Sequence, residues 1–370
     1  MKGQTQNERA AGRRWSRGRL GSVAGLGLAL ALVAGSVLGR EREPGAVALW
    51  VADREGQSLL GLDGDLYVVE TRRASWPVGV LTGQGGRLWT VEAPQATPLG
   101  DHRLAQWAAG GELLWEAELG PVLDLAADGA GRVLVVEMGT GSGEGNRLLL
   151  ADPEAALVAE GGGEDLVELL SGPLINCAAG EAGMVLVGTG DGRLLVLRHS
   201  APSRVLRVLE VGGQVGDVAP VGWPSGSAAH PRAGAPPVAP AGASAQEPGG
   251  NGWWILDVAT PGRLLRLDAD LGVAWELPTG IRPAHLIPDA GRGCVWAADV
   301  NEPFVRRWGV DGSLELNLGD LPLGGLDRGV VLGGGIVLTA PGALLRLDGT
   351  GGVLPGQGGF HFPVDLAAVE

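Results

Sequence analysis

Six polar side chains open short apolar runs along this chain, and they are the residues best placed to do chemistry: Asp124, Asn176, Asp217, His285, Asp327 and Asp365. Asp124, Asn176 and Asp217 each stand three residues after a proline or its equivalent (Pro121, Pro173, Gln214), while Asp365, His285 and Asp327 lie one residue away from that register. Oxygen donors converging from several segments could hold a hard cation such as calcium, which takes six to eight of them. With His285 beside such an ion, metal-assisted hydrolysis is the reaction the set would support. Alternation along a strand sends adjacent residues to opposite sides, so the offset register favours a structural role in which these groups bond neighbouring backbone or channel water.

A second set of acids ends the following apolar runs: Asp53, Glu92, Glu137, Asp257 and Asp299. Arg103, Arg147, Arg193 and Arg263 open the next runs, so Glu92 with Arg103, Glu137 with Arg147 and Asp257 with Arg263 read as cross-strand pairs that order turns. If exposed, each is worth roughly 0.2 to 1 kcal/mol. The alternative is an acidic rim facing a ligand. The catalytic signatures of nucleophile elbows, phosphate loops and zinc helices are absent. Gly139 to Gly145 has the glycines of a nucleotide loop but no helix after it, and His102, His199, His285 and His361 are too scattered for a local zinc site.

The elements that carry these residues repeat. PVGVLTGQGGRLWTVEA (77 to 93) returns as PVLDLAADGAGRVLVVEM (121 to 138) and as PLINCAAGEAGMVLVGTG (173 to 190). A period of about 40 residues built from short strands indicates a β-propeller, in which no repeat buries its own faces. Inner strands are expected at Pro77 to Leu81, Pro121 to Ala126, Pro173 to Ala178, Gln214 to Ala219, Pro283 to Ile287, Leu326 to Leu332 and Pro363 to Ala368. Seven second strands follow, the first at Ala48 to Ala52. The propeller, residues 46 to 370, thus begins on a second strand and ends on an inner one, and the last strand closes the first blade and removes open edges. Six blades are the alternative, because the seventh is short.

Trp50, Trp89, Trp254 and Trp296 share one register with Leu134 and Leu186, the placing of large rings that pack blade against blade. From 222 to 252 the chain is rich in Pro, Gly, Ala and Ser, a disordered insertion between the first two strands of blade 5. Cys177 and Cys294 fall in non-adjacent blades and read as lone buried thiols.

The first 19 residues are basic, and residues 20 to 39 carry no charge, a hydrophobic helix long enough for a signal peptide or a transmembrane anchor. The basic flank stays cytoplasmic, so the rest is expected outside the cytoplasm, held at the membrane or secreted after cleavage. Overall, 42 Asp and Glu stand against 28 Lys and Arg, with most of the basic excess in the leader. That balance argues against nucleic acid as a partner.

The pattern Pro-x-x-apolar-Ala-x-x-x-x-Gly, followed by a strand ending in an acid, resembles the NHL repeat, with WVADREGQSLLGLD (50 to 63) the clearest copy. Two segments, Gly111 to Trp115 and Gly272 to Trp275, look like the docking segment of quinoprotein repeats. Both resemblances imply a propeller. NHL-type propellers are mostly binding platforms, with hydrolases, lactonases and lyases among their relatives. The expectation is therefore a monomeric, non-enzymatic binding or scaffold module for a protein or small-molecule ligand, without a cofactor. A metal-dependent hydrolase or lactonase using the channel residues is the alternative, and a quinone-dependent dehydrogenase the third reading.

Overall fold

In the computed structural model, the described residues are 45–370 apart from 75–77, 85–86, 94–99, 109–110, 128–131, 140–143, 153–165, 173–174, 182–183, 199–200, 222–251, 260–261, 362 and 369–370. They form seven four-stranded antiparallel sheets and no helix. The N-terminal hydrophobic segment and most of the 222 to 252 insertion lie outside the described residues.

Each sheet is one blade, with strands a to d running outward. Blade 1 combines Pro363–Ala368 from the C-terminus with Leu49–Asp53, Ser58–Leu62 and Val68–Arg73. Blade 2 has Val78–Gln84, Arg87–Glu92, His102–Ala108 and Leu113–Leu119; blade 3 has Val122–Ala127, Val133–Glu137, Asn146–Ala151 and Leu166–Gly172. Blade 4 has Ile175–Glu181, Met184–Thr189, Arg193–Arg198 and Ala201–Glu210; blade 5 has Val215–Pro220, Trp253–Asp257, Arg263–Leu267 and Val273–Pro278. Blade 6 has Ile287–Asp289, Cys294–Ala298, Val305–Gly309 and Leu314–Leu318; blade 7 has Gly329–Leu332, Gly335–Ala340, Ala343–Leu347 and Val353–Gly358. The count is seven, and the ring closes through the pairing of Leu49–Asp53 with Pro363–Ala368.

Strand b is buried on both faces in every blade, because it lies near the channel between strands a and c with a neighbouring blade on either side. The slot three residues before the end-of-strand acid position holds Trp50, Trp89, Leu134, Leu186, Trp254, Trp296 and Ile336, all buried. The core divides into seven apolar clusters, each spanning two adjacent blades. Trp254 illustrates the arrangement, packing with Val295, Ala297 and Trp308 of blade 6.

Arginines cover several of these rings, a contact that the apolar pattern does not announce. Arg266 and Arg307, directly across from Trp254 and Trp296, lie 5.5 and 4.7 Å from the ring centroids. In blade 1 the residue across from Trp50 is Gly61, and Arg72 from strand d takes the place over the ring at 4.2 Å. Among the described residues the indole N–H groups of Trp89, Trp254 and Trp296 find no acceptor, so ring area rather than hydrogen bonding accounts for tryptophan in this slot.

Trp275 ties blade 5 to blade 6. Its indole N–H donates to the Val310 carbonyl at 2.8 Å, and its ring lies against Gly312, which has φ +81° and where an added Cβ would press on the ring at 3.1 Å. The ring also packs on Trp254 at 5.6 Å between centroids. Trp275→Phe keeps most of the packing and loses one hydrogen bond. It is expected to lower stability by about 1 kcal/mol in chemical denaturation, and no change would remove the bond to Val310 from the account.

Candidate functional site

The turns joining b to c and d to a form one face of the ring; those joining a to b and c to d form the other. The candidate residues gather on the first face, because strand a enters the channel from it and strand b ends at it.

The strand-b acids are buried here. Asp53, Glu92, Glu137, Asp257 and Asp299 are each no more than 4% exposed. Each of Asp53, Glu137, Asp257 and Asp299 accepts the backbone N–H of a residue just before a strand a: His361, Gly120, Gln214 and Arg282 respectively. Asp53, Asp257 and Asp299 also accept N–H groups from their own b–c turns. Arginines complete the pattern: Arg103 reaches Glu92 at 2.7 Å, Arg263 reaches Asp257 at 2.7 Å, and Arg147 pairs with Glu137. These are the cross-strand pairs expected from sequence, but burial of the acid makes them a different class of interaction from a surface ion pair. Arg193 pairs instead with Asp191 in its own turn, since Thr189 occupies the acid position of blade 4. Thr339 does the same work in blade 7, its hydroxyl accepting from the Arg328 N–H at 3.2 Å.

The channel residues come into register through a bulge. In blades 1 to 5 strand a carries one extra residue relative to strand b: Val364, Gly79, Leu123, Asn176 and Gly216. In blade 6 one extra residue also falls between the Pro283–Asp299 bridge and the Ile287–Trp296 pair. A bulge re-aims the side chains that follow it. Asp124, Asp217 and Asp365 thereby take equivalent places, opposite Val136, Leu256 and Ala52. This corrects the sequence register: Asn176 is itself the bulge residue of its blade, and Cys177, opposite Gly188, is the true counterpart of Asp124.

Each of these groups reaches into the next blade or its own backbone. Asp124 accepts from the Ala178 N–H at 3.4 Å, and Asp217 accepts from the Leu286 N–H at 2.7 Å. Asn176 donates to the Val215 carbonyl at 2.7 Å. Asp217 and Asp365 also accept the N–H of the residue that follows them, at 2.8 and 2.9 Å. His285 stands between Asp217 (3.7 Å) and Asp327 (3.6 Å), so that blades 5, 6 and 7 meet there.

The residue that sequence reasoning missed is Arg328. Its guanidinium projects from the start of strand a in blade 7 and lies 3.9 Å from Asp124 of blade 3. Burial works against its charge, but Asp365, Asp124, Asp217 and Asp327 outweigh burial and hold its pKa above the usual arginine value. The signal was its place beside Asp327 at the mouth of an inner strand. A cavity of about 240 Å³ runs along the channel past Asp124, Asp217 and Arg328. Among the described residues, no three of His, Cys, Asp or Glu are grouped to hold a metal ion.

Two thiols and one carboxyl are electrostatically unusual. Burial, then Asp217 and Asp124, push the Cys177 thiol well above its ordinary value, and burial, then Asp289, pushes Cys294 up to about 12. Both are free and buried, and neither is a thiolate near neutral pH. Burial raises the Asp124 pKa despite the opposing pull of Arg328, with Asp217 adding to the rise. Ionised Asp124 is thus disfavoured in the folded state, and wild-type stability should improve as pH falls through its raised pKa towards the ordinary 3.8. Asp124→Asn is expected to melt higher than wild type at neutral pH, with the gap narrowing over that window. A gap that is constant with pH would contradict the assignment.

On the same face, a cleft of about 630 Å³ opens between blades 2 and 3, lined by Asp101, Glu137, Glu144, Glu168 and Arg147.

No protein-family model matches the chain, and no curated protein matches it by sequence. Solved structures do. A functionally unknown protein from Desulfotomaculum acetoxidans DSM 771 superposes with a TM-score of 0.64 at 10% identity, over 88% of this chain and 99% of that one. Apo AztD from Citrobacter koseri gives 0.55 at 13% identity, over 87% and 97%. Dihydro-heme d1 dehydrogenase NirN in complex with DHE gives 0.52 at 12%, over 90% and 77%. At these identities the likeness is one of fold alone.

Proposed function

We propose that this chain is a propeller carried outside the cytoplasm by its N-terminal segment, where it acts as a non-enzymatic binding platform that presents its b–c face to a partner. One observation carries the reading: three polar groups of the channel, the obvious place for catalysis, join one blade to the next. Asp124, Asn176 and Asp217 each bond the inner strand of the next blade or the segment leading into it, and the positive group among the carboxylates is the chain's own Arg328. A hydrolase would need some of those oxygens free for an ion or a substrate. The platform role also agrees with the NHL-like pattern of the repeats.

The reading is tested in intact cells with a photocrosslinking residue at Glu302, exposed in the b–c turn of blade 6, and at Glu112, exposed on the opposite face. A discrete adduct from position 302 and none from 112 is expected. Turnover of an ester or lactone that Asp217→Asn abolishes would overturn the platform reading in favour of the hydrolase.

A further inference from the structure

Among the described residues, half of the large apolar side chains left exposed stand at the start of a strand d. Val68, Leu113, Val273, Leu314 and Val353 are each the first residue of a strand d, Val167 is the second, and they are 38 to 58% exposed. They represent six of the seven blades. Tyr67 and Leu114 adjoin two of them, whereas Leu123, Leu206, Val208 and Phe304 lie elsewhere. Because strand d starts at the c–d turn, the set forms a girdle on the outer edge of the a–b face. Nothing in blade packing requires it, since the ring clusters are complete without these residues.

The same face receives the N-terminus. Gly45 abuts the side chain of Asp63 in the c–d turn of blade 1, four residues before Leu49–Asp53 begins. Only Arg40 to Pro44 separate Gly45 from the uncharged stretch that ends at Gly39. At about 3.5 Å per extended residue, those five residues reach less than about 20 Å.

We propose that the a–b face is the lipid-facing side of the propeller and that the aliphatic residues opening its d strands touch the bilayer holding residues 20 to 39. This rests on the membrane-held reading above. Exposed Asp65, Glu112, Asp268 and Asp311 on the adjoining turns make the surface suit zwitterionic rather than anionic headgroups. Half-exposed valines and leucines bind lipid weakly one by one. A short tether supplies an effective concentration in the millimolar range, which lets a weak surface engage.

The test uses the full chain in phosphatidylcholine liposomes, with an environment-sensitive fluorophore on Val273→Cys, Leu314→Cys or, as control, Glu302→Cys; the native thiols are buried. Circular dichroism checks that each variant folds. Nitroxide-bearing lipids are expected to quench the labels at 273 and 314, with a blue shift, and to leave 302 unchanged. Carbonate extraction separates the two layers of the argument. Retention of the chain with equal quenching at all three positions overturns the lipid-facing assignment and leaves the anchor standing. Extraction into the supernatant overturns the anchor and the assignment together. Labels at 273 and 314 that are shielded from water yet unquenched by lipid would point to a second copy of the chain and also overturn it.

Discussion

Deleting residues 360 to 370 should convert a single cooperative unfolding transition into a broad one and lower stability by about 5 kcal/mol or more, a large part of what a domain possesses. The deletion removes strand a of blade 1, whose partner Leu49–Asp53 is buried throughout. It also takes Phe360 and Leu366 from the cluster that joins blades 7 and 1, and Ala367 from the one that joins blades 1 and 2. Two effects add. The buried apolar groups lose their contacts, and the ladder edge of Leu49–Asp53 is opened to other chains, so aggregation should accompany the loss. Leu366→Ala is the milder probe, expected to cost about 2 to 4 kcal/mol while keeping the ladder. Calorimetry checks both, and a truncated chain that still unfolds in one sharp transition at the wild-type temperature would contradict the closure.

Asp257→Ala should be among the more damaging single substitutions, at about 2 to 4 kcal/mol, because it leaves two amides without their acceptor and takes the carboxylate from the partly exposed Arg263, which keeps Glu276 and the Val211 and Gly212 carbonyls. One Asp257 oxygen accepts from Gln214 N–H at 2.8 Å and Ala259 N–H at 2.9 Å; the other takes Arg263 through Nε at 3.0 Å and Nη2 at 2.7 Å. Gly213, with φ +82°, is pressed against the carboxylate so closely that an added Cβ would overlap it. Asp257→Asn retains one acceptor and should fall between alanine and wild type. In urea titrations the midpoint should drop with an unchanged slope. A loss below about 0.5 kcal/mol, the scale of an exposed pair, would return these acids to the ligand rim.

The contrast between these two cases shows what the amino-acid order can carry. Most strand positions, the tryptophan slot, the start on a second strand and end on an inner one, and the three acid–arginine pairs follow from periodicity, a property of the chain read along its length; the inner strand of blade 6, expected at Pro283 to Ile287, forms instead at Ile287–Asp289. The burial of Asp257 does not follow from periodicity, because it depends on the segment entering blade 5 folding over the carboxylate, where Gln214 donates its N–H. The bulge was hidden for a similar reason. It is defined by counting strand a against strand b, and no residue type marks it: the extra residue is Val364, Gly79, Leu123, Asn176 or Gly216. Arg328 is not legible in the repeat because no other blade carries an arginine at its position and three of its four partners come from blades 1, 3 and 5. Closure of the ring brings them together, and only the closed ring displays the network.

The central claim is that the channel carboxylates hold the blades together, with Arg328 as their counter-charge, and it is tested most directly by metal analysis of the purified full chain. The account predicts no stoichiometric divalent ion and the same melting temperature with and without a chelator. A calcium ion or other divalent ion bound one to one, lost in Asp124→Ala and Asp217→Ala, would contradict it.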